Sequence, residues 1–90
     1  TGERVWRLPL PVDERPRLDS DIADLRNIAK GVGGGSLLAG LFLKEFVGKT
    51  PWAHLDIAGP AYNEKDYDDQ RSWGASGYGT RMLLEFLRKM

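Results

Sequence analysis

Trp52-Ala53-His54-Leu55-Asp56-Ile57-Ala58-Gly59 alternates along its length. Ala53, Leu55 and Ile57 share one face, and Trp52, His54, Asp56 and Ala58 share the other. A period of two predicts a β-strand over 52–58. One strand cannot satisfy its own backbone N–H and C=O groups, so it needs neighbours. The flanking sequence offers two weak candidates. Residues 4–10, Arg-Val-Trp-Arg-Leu-Pro-Leu, read as extended, but Pro9 and Pro11 bar a long central strand. Residues 20–28 space Ile22, Leu25 and Ile28 by three among Asp and Asn residues, and read as irregular with at most a short strand.

Helices flank the strand. Residues 12–19 suit a helical turn that Pro16 interrupts. Residues 30–36, Lys-Gly-Val-Gly-Gly-Gly-Ser, form the most flexible stretch, with Ser36 placed as an N-cap. A helix is predicted over 37–47. At about 100° per residue, Leu37, Leu38, Leu41, Phe42, Leu43, Phe46 and Val47 cover most of its circumference, which predicts burial on nearly all sides. Gly48 ends it, and Lys49-Thr50-Pro51 make the loop. Residues 60–79 read as a long polar loop. A second helix over about 80–89 sets Met82, Leu83, Leu84, Phe86 and Leu87 against Arg81, Glu85, Arg88 and Lys89. The order helix, strand, long loop, helix predicts a piece of a larger α/β sheet.

Composition narrows the function classes. Thirteen Lys and Arg balance thirteen Asp and Glu over 90 residues, and the balance holds in each half. A nucleic-acid or anionic-membrane partner therefore loses its main electrostatic motive. Hydrophobic residues at 41% with charged residues at 29% give a globular profile. The absence of cysteine excludes a disulfide framework, a cysteine-ligated zinc finger and thiol catalysis. The longest apolar run, residues 37–43, is far short of the roughly 20 residues that span a bilayer. No secretory leader is expected at an amino end that opens Thr-Gly-Glu-Arg. A chain this short buries only about 60–65% of its unfolded surface, which leaves a thin core.

Local motifs carry little chemistry. Gly31-Val32-Gly33-Gly34-Gly35-Ser36 before a helix invites an anion-binding reading, but the dinucleotide pattern needs a glycine at Ser36 and a preceding strand. A flexible or close-packed loop is the better reading. Gly48-Lys49-Thr50 ends like a P-loop, yet Leu43 stands where the first glycine belongs and Pro51 follows. His54 is the only histidine and lies two residues from Asp56, so the pair reads as structural, and Asp56, near a helix or loop amide, is the better candidate of the two for a site role. Asn63, Glu64, Asp66, Asp68 and Asp69 lack the central Gly and final Glu of a calcium loop and read as solvated. Trp6, Trp52 and Trp73 read as core and rim packing.

Longer stretches are more distinctive. Gly2-Glu3-Arg4-Val5-Trp6-Arg7-Leu8-Pro9-Leu10, Leu41-Phe42-Leu43-Lys44-Glu45-Phe46-Val47 and Thr50-Pro51-Trp52-Ala53-His54-Leu55-Asp56-Ile57-Ala58-Gly59 occur in that order. Residues 21–28, Gly74-Ala75-Ser76-Gly77 and Leu84-Glu85-Phe86-Leu87 extend the pattern. Together they resemble the C-terminal end of the leucyl aminopeptidase (cytosol aminopeptidase) family over nearly the whole chain. The resemblance implies that residues 1–90 are the C-terminal fragment of a three-layer α/β/α catalytic domain with an incomplete sheet. It implies a parent that is a two-metal exopeptidase acting on peptide substrates, using zinc or manganese, cytoplasmic and homohexameric. The family's metal ligands lie in an Asn-Thr-Asp-Ala-Glu-Gly-Arg segment and an earlier Lys/Asp stretch, neither of which occurs here. The fragment is thus expected to bind no metal and to be inactive alone. Ala58, Gly59 and Ala61 match positions that shape the pocket for the substrate's first side chain. Lys30–Ser36 replaces the common Gly-Gly-Arg-Pro-Ala-Gly-Ala, and Pro16 falls where relatives continue a short helix. Two other readings are a noncatalytic relative or assembly module, and a small-ligand or anion binder built on the glycine loop.

Overall fold

Among the described residues, hydrogen bonds from side chains and turns tie the backbone together more than sheet formation does. The computed structural model describes residues 1–64 and 73–90. Two compact units form, one from Thr1–Trp6 with Leu55–Met90 and the other from Arg7–His54.

In the unit Arg7–His54, a 3₁₀ helix at Val12–Leu18 leads into an irregular segment and then α1, Gly35–Lys44. Pro16 lies inside the 3₁₀ helix, which ends with the Asp19 N–H donating to the Pro16 carbonyl. Three leucines make the core: Leu18, Leu38 and Leu41. Leu10, Leu25, Ala29, Leu37 and Phe42 pack around them. Residues 20–28 contain no strand, as their turn-forming Asp and Asn favour. Their ends are tied by the Arg26 N–H on the Leu18 carbonyl at 2.7 Å and the Lys30 N–H on the Arg17 carbonyl at 2.8 Å. On the surface, Arg15 bonds both Asp19 and Glu45. The Arg15 pKa is raised above its ordinary value, first by the Glu45 hydrogen bond.

Helix α1 departs from its predicted bounds at both ends. Gly34, not Ser36, is the N-cap, with φ +70°. Its carbonyl accepts the Leu38 N–H at 3.0 Å, which closes the first turn two residues early. A left-handed backbone at this position suits glycine and would strain serine. Beyond Lys44 the chain tightens into i to i−3 bonds from Glu45, Phe46 and Val47, so the apolar run continues but the α-helix does not. Burial is also narrower than the apolar circumference predicts. Leu38, Gly40 and Leu41 are buried, whereas Phe46 is 70% exposed.

Gly40 is the closest-packed glycine of α1. A Cβ there would lie 2.9 Å from Leu10 Cδ2 and 3.2 Å from His54 Nδ1. The extended segment carrying His54 thus approaches this helix where a side chain is missing.

The strand predicted over 52–58 does not form among the described residues. Trp52 through Ile57 run without ladder partners. Pro-containing residues 4–10 supply none, because they too are irregular. Trp52 and His54 are half-buried and stack at 6.2 Å, while Leu55 and Ile57 are 46% and 41% exposed. Trp6 is 87% exposed, so it is not the packing residue its size suggested.

In the unit Thr1–Trp6 with Leu55–Met90, the expected loop 60–79 contains a sheet. Strand β1, Tyr62–Asn63, pairs antiparallel with β2, Gly74–Ala75, in register Tyr62 with Ala75 and Asn63 with Gly74. Tyr62 and Trp73 meet edge-on at 5.8 Å beside the ladder. Helix α2, Thr80–Arg88, follows Gly79 at φ +92°. None of its residues is buried, and Leu83, Leu84, Phe86 and Leu87 are 48–62% exposed. Its free amides are satisfied from the other end of the chain. The Gly79 N–H donates to Glu3 Oε1 at 3.0 Å and the Met82 N–H to Glu3 Oε2 at 2.9 Å. The Glu3 side chain is only 5% exposed. The Tyr78 hydroxyl adds a bond to the Arg4 carbonyl.

Two stability results are expected. Gly40→Val should lower stability by about 1–3 kcal/mol through overpacking against Leu10 and His54. Gly35→Ala, where a Cβ meets nothing within 4 Å, should be neutral or stabilising by up to about 1 kcal/mol. Urea midpoints of the two variants make the comparison, and equal midpoints would remove the close contact as a constraint. Glu3→Gln offers one acceptor where two N–H groups need partners, and should cost about 1–2 kcal/mol. Amide exchange at Met82 should quicken with it, and unchanged exchange there would show that the carboxylate does not hold α2.

Candidate functional site

The resemblance pointed to Ala58, Gly59 and Ala61, and these three lie on one turn. Asp56 opens it by accepting the Ala58 N–H on Oδ1 at 3.1 Å. This is an Asx turn, in which the side chain stands in for a backbone carbonyl. The Ala61 N–H then donates to the Ile57 carbonyl at 2.9 Å and closes residues 57–61 on themselves. Asp56 therefore binds a loop amide, while His54 stacks on Trp52 and takes no part in the turn.

Ala58, Gly59 and Pro60 are exposed and Ala61 is half-buried. A Cβ on Gly59 would meet nothing within 4 Å. Packing therefore does not hold this turn, and directional bonds do. Ser76 supplies the two that come from outside the turn. Its N–H donates to the Ala61 carbonyl at 2.8 Å, and its hydroxyl donates to the Pro60 carbonyl. The same Oγ accepts the Tyr78 N–H at 3.1 Å. In the sequence Ser76 stands within Gly74-Ala75-Ser76-Gly77, where a hydroxyl beside glycine marks a turn but not its distant partner.

The glycine loop is held rather than free. Arg17 Nε donates to the Lys30 carbonyl at 2.7 Å, and another guanidinium nitrogen donates to the Gly33 carbonyl at 3.0 Å. A third contact pairs Arg17 with Glu14 at 3.1 Å. Gly31, Gly33 and Gly34 all have positive φ, from +70° to +84°. The loop thus turns carbonyl oxygens toward a cation. A phosphate cradle requires the opposite polarity, with N–H groups converging. This geometry argues against anion binding, and the loop is not close-packed: residues 31–35 are exposed, and a Cβ on Gly33 or Gly35 would meet nothing within 4 Å.

Among the described residues, no three His, Cys, Asp or Glu side chains converge to hold an ion. Asp66, Asp68 and Asp69 of the expected acidic loop lie outside the described residues. No helix among the described residues is long and apolar enough to cross a membrane.

Comparison with known proteins places this geometry in a wider setting. Residues 1–84 match the profile of the cytosol aminopeptidase family, catalytic domain. A probable cytosol aminopeptidase of Synechococcus sp. (strain JA-3-3Ab) is 52% identical over 87 residues, covering 97% of this chain and 17% of that protein. One from Geotalea uraniireducens (strain Rf4) is 53% identical over 88 residues, covering 98% of this chain and 17% of that protein. Among solved structures, the bottromycin maturation enzyme BotP in complex with Mn aligns with a TM-score of 0.85 at 44% identity, over 93% of this chain and 18% of that one. The chain spans about one-sixth of the length of the relatives it matches.

Proposed function

This chain belongs to the cytosol aminopeptidase family, and from that premise we propose that it serves as the C-terminal part of a catalytic domain that releases N-terminal residues from peptides. The match of residues 1–84 to the family's catalytic domain carries the reading. In it, the irregular segment 52–58 becomes a strand when the remainder of a three-layer α/β/α domain supplies neighbours. Exposed Leu55 and Ile57, and the uncovered apolar face of α2, support that partner.

The role of these residues is recognition rather than bond cleavage. The described residues do not fit a pair of zinc or manganese ions, so the ligands belong to the remainder of the domain in this proposal. Ala58, Gly59 and Ala61 form part of the wall of the pocket for the substrate's first side chain. Both alanines end at Cβ and leave room beside an open glycine, which suits a bulky apolar group such as leucine. The balanced charge supports peptide substrates over nucleic acid or an anionic membrane surface. A cytoplasmic homo-oligomer, a hexamer by family resemblance, completes the proposal.

Two measurements test it. The isolated 90-residue chain, incubated with zinc or manganese and a leucyl chromogenic amide, should show no turnover above a blank. Metal-dependent turnover would overturn the assignment of the ligands elsewhere. In the complete enzyme, Ala61→Trp should fill the pocket. Discrimination by an apolar pocket changes by about 1–3 kcal/mol per methylene-sized contact, so kcat/KM for leucyl and phenylalanyl amides should fall at least about tenfold. Alanyl amides should suffer less, and metal content should not change. An equal loss on all three substrates, or no loss, would remove Ala61 from the pocket wall.

A further inference from the structure

We infer that Ser76 is the positioning residue that sets the shape of the 58–61 turn, and through it the selectivity for the substrate's first side chain. The inference rests on the proposed reading of Ala58, Gly59 and Ala61 as pocket wall. It goes beyond that reading by assigning the wall's geometry to a residue that contacts no substrate.

Ala58, Gly59 and Pro60 are exposed, and Gly59 has open space where a Cβ would be. Pro60 has no N–H, so it adds no donor of its own. Two bonds are local, the Ala58 N–H to Asp56 and the Ala61 N–H to the Ile57 carbonyl. They close the turn on itself, and beyond it the chain enters the ladder only at Tyr62. Ser76 supplies the anchoring bonds. Its N–H takes the Ala61 carbonyl and its hydroxyl takes the Pro60 carbonyl. Ser76 is itself fixed, because Ala75 beside it is in register with Tyr62 and the Tyr78 N–H donates to its Oγ.

The hydroxyl is therefore a donor and an acceptor at once, between a turn and the start of α2. Alanine at this position keeps the bond from the backbone N–H to the Ala61 carbonyl. It frees the Pro60 carbonyl and leaves the Tyr78 N–H without its acceptor. The turn then pivots at Pro60, between the two alanines that face a bulky side chain. Threonine keeps both hydroxyl bonds and should restore the wall.

The test uses the complete metal-loaded enzyme in four forms: wild type, Ser76→Ala, Ser76→Thr and Ala61→Trp. KM and kcat are measured on leucyl, phenylalanyl and alanyl amides, with metal content and melting temperature alongside. For Ser76→Ala, KM for the leucyl and phenylalanyl amides should rise about 3- to 10-fold, the range of one lost hydrogen bond, with kcat within about twofold. KM for the alanyl amide should move less than about twofold, since a single methyl scarcely reaches the wall. Ser76→Thr should return the profile to wild type. A merely structural serine gives a different signature: kcat falls by one factor on every substrate as the active fraction drops, and KM stays constant. That result overturns the inference. If Ser76→Ala does not fold, Ser76→Cys replaces it, keeping the shape with a weaker donor, and the same KM split is required. If Ala61→Trp is selective while the Ser76 variants keep a wild-type profile, the pocket reading stands and this inference fails. If Ala61→Trp is not selective, the pocket reading fails first and takes the inference with it.

Discussion

The carboxylate of Glu3 is the contact on which one half of this chain depends. It sits almost out of solvent and accepts N–H groups from Gly79 and Met82 at the start of α2. A helix of nine residues is marginal by itself, and this one has no buried side chain and no cap from its own N-cap residue. A negative charge at its positive end, delivered from 76 residues away, satisfies two orphan donors and suits the helix dipole. The Tyr78 hydroxyl on the Arg4 carbonyl reinforces the same junction. Residues 76–79 are thereby held, and Ser76 in turn holds the 58–61 turn.

The other unit solves the same problem with a different mixture. Three buried leucines are a small core, so irregular backbone must be fastened by polar side chains. Arg17 does this for the glycine loop, spending its donors on Lys30, Gly33 and Glu14. A rigid planar fork suits two carbonyls and a carboxylate better than a lysine ammonium would. Gly40 contributes by absence: it lets Leu10 and His54 approach α1 to distances a side chain would block. In both units, a few directional contacts do the work that sheet ladders do in larger α/β proteins.

This arrangement bears on how the proposed pocket wall evolves selectivity. A wall made from small residues on a turn, Ala58 and Gly59 exposed and Ala61 half-buried, has few packing neighbours to disturb. Changes at Ala58 or Ala61 therefore reshape recognition at low cost to the fold, while the bonds from Ser76 and Asp56 keep the turn in place. Loops on a fixed scaffold combine variability with precision in the same manner.

Much of the local structure was legible in the sequence. The two helices follow from apolar spacing over 37–43 and 82–87, the irregular 20–28 segment from its Asp and Asn, and the family from Trp52–Gly59 with its flanking stretches. The Asp56 bond to the Ala58 N–H joins residues two apart, a local contact of the kind that an Asp before a turn makes. The bonds that decide the rest are not local. The alternation of 52–58 is a strand pattern, but a ladder needs a second strand, and the described residues supply none to it. Gly34 rather than Ser36 caps α1 because the closing hydrogen bond and a left-handed backbone select the glycine. Glu3 on α2, Arg17 on the glycine loop and Ser76 on Pro60 join residues 13–79 positions apart. Sequence periodicity determines which faces are apolar and which residues suit turns. Tertiary structure alone decided which distant side chain satisfies each orphan backbone group, because hydrogen bonding depends on distance in space and leaves no period along the chain.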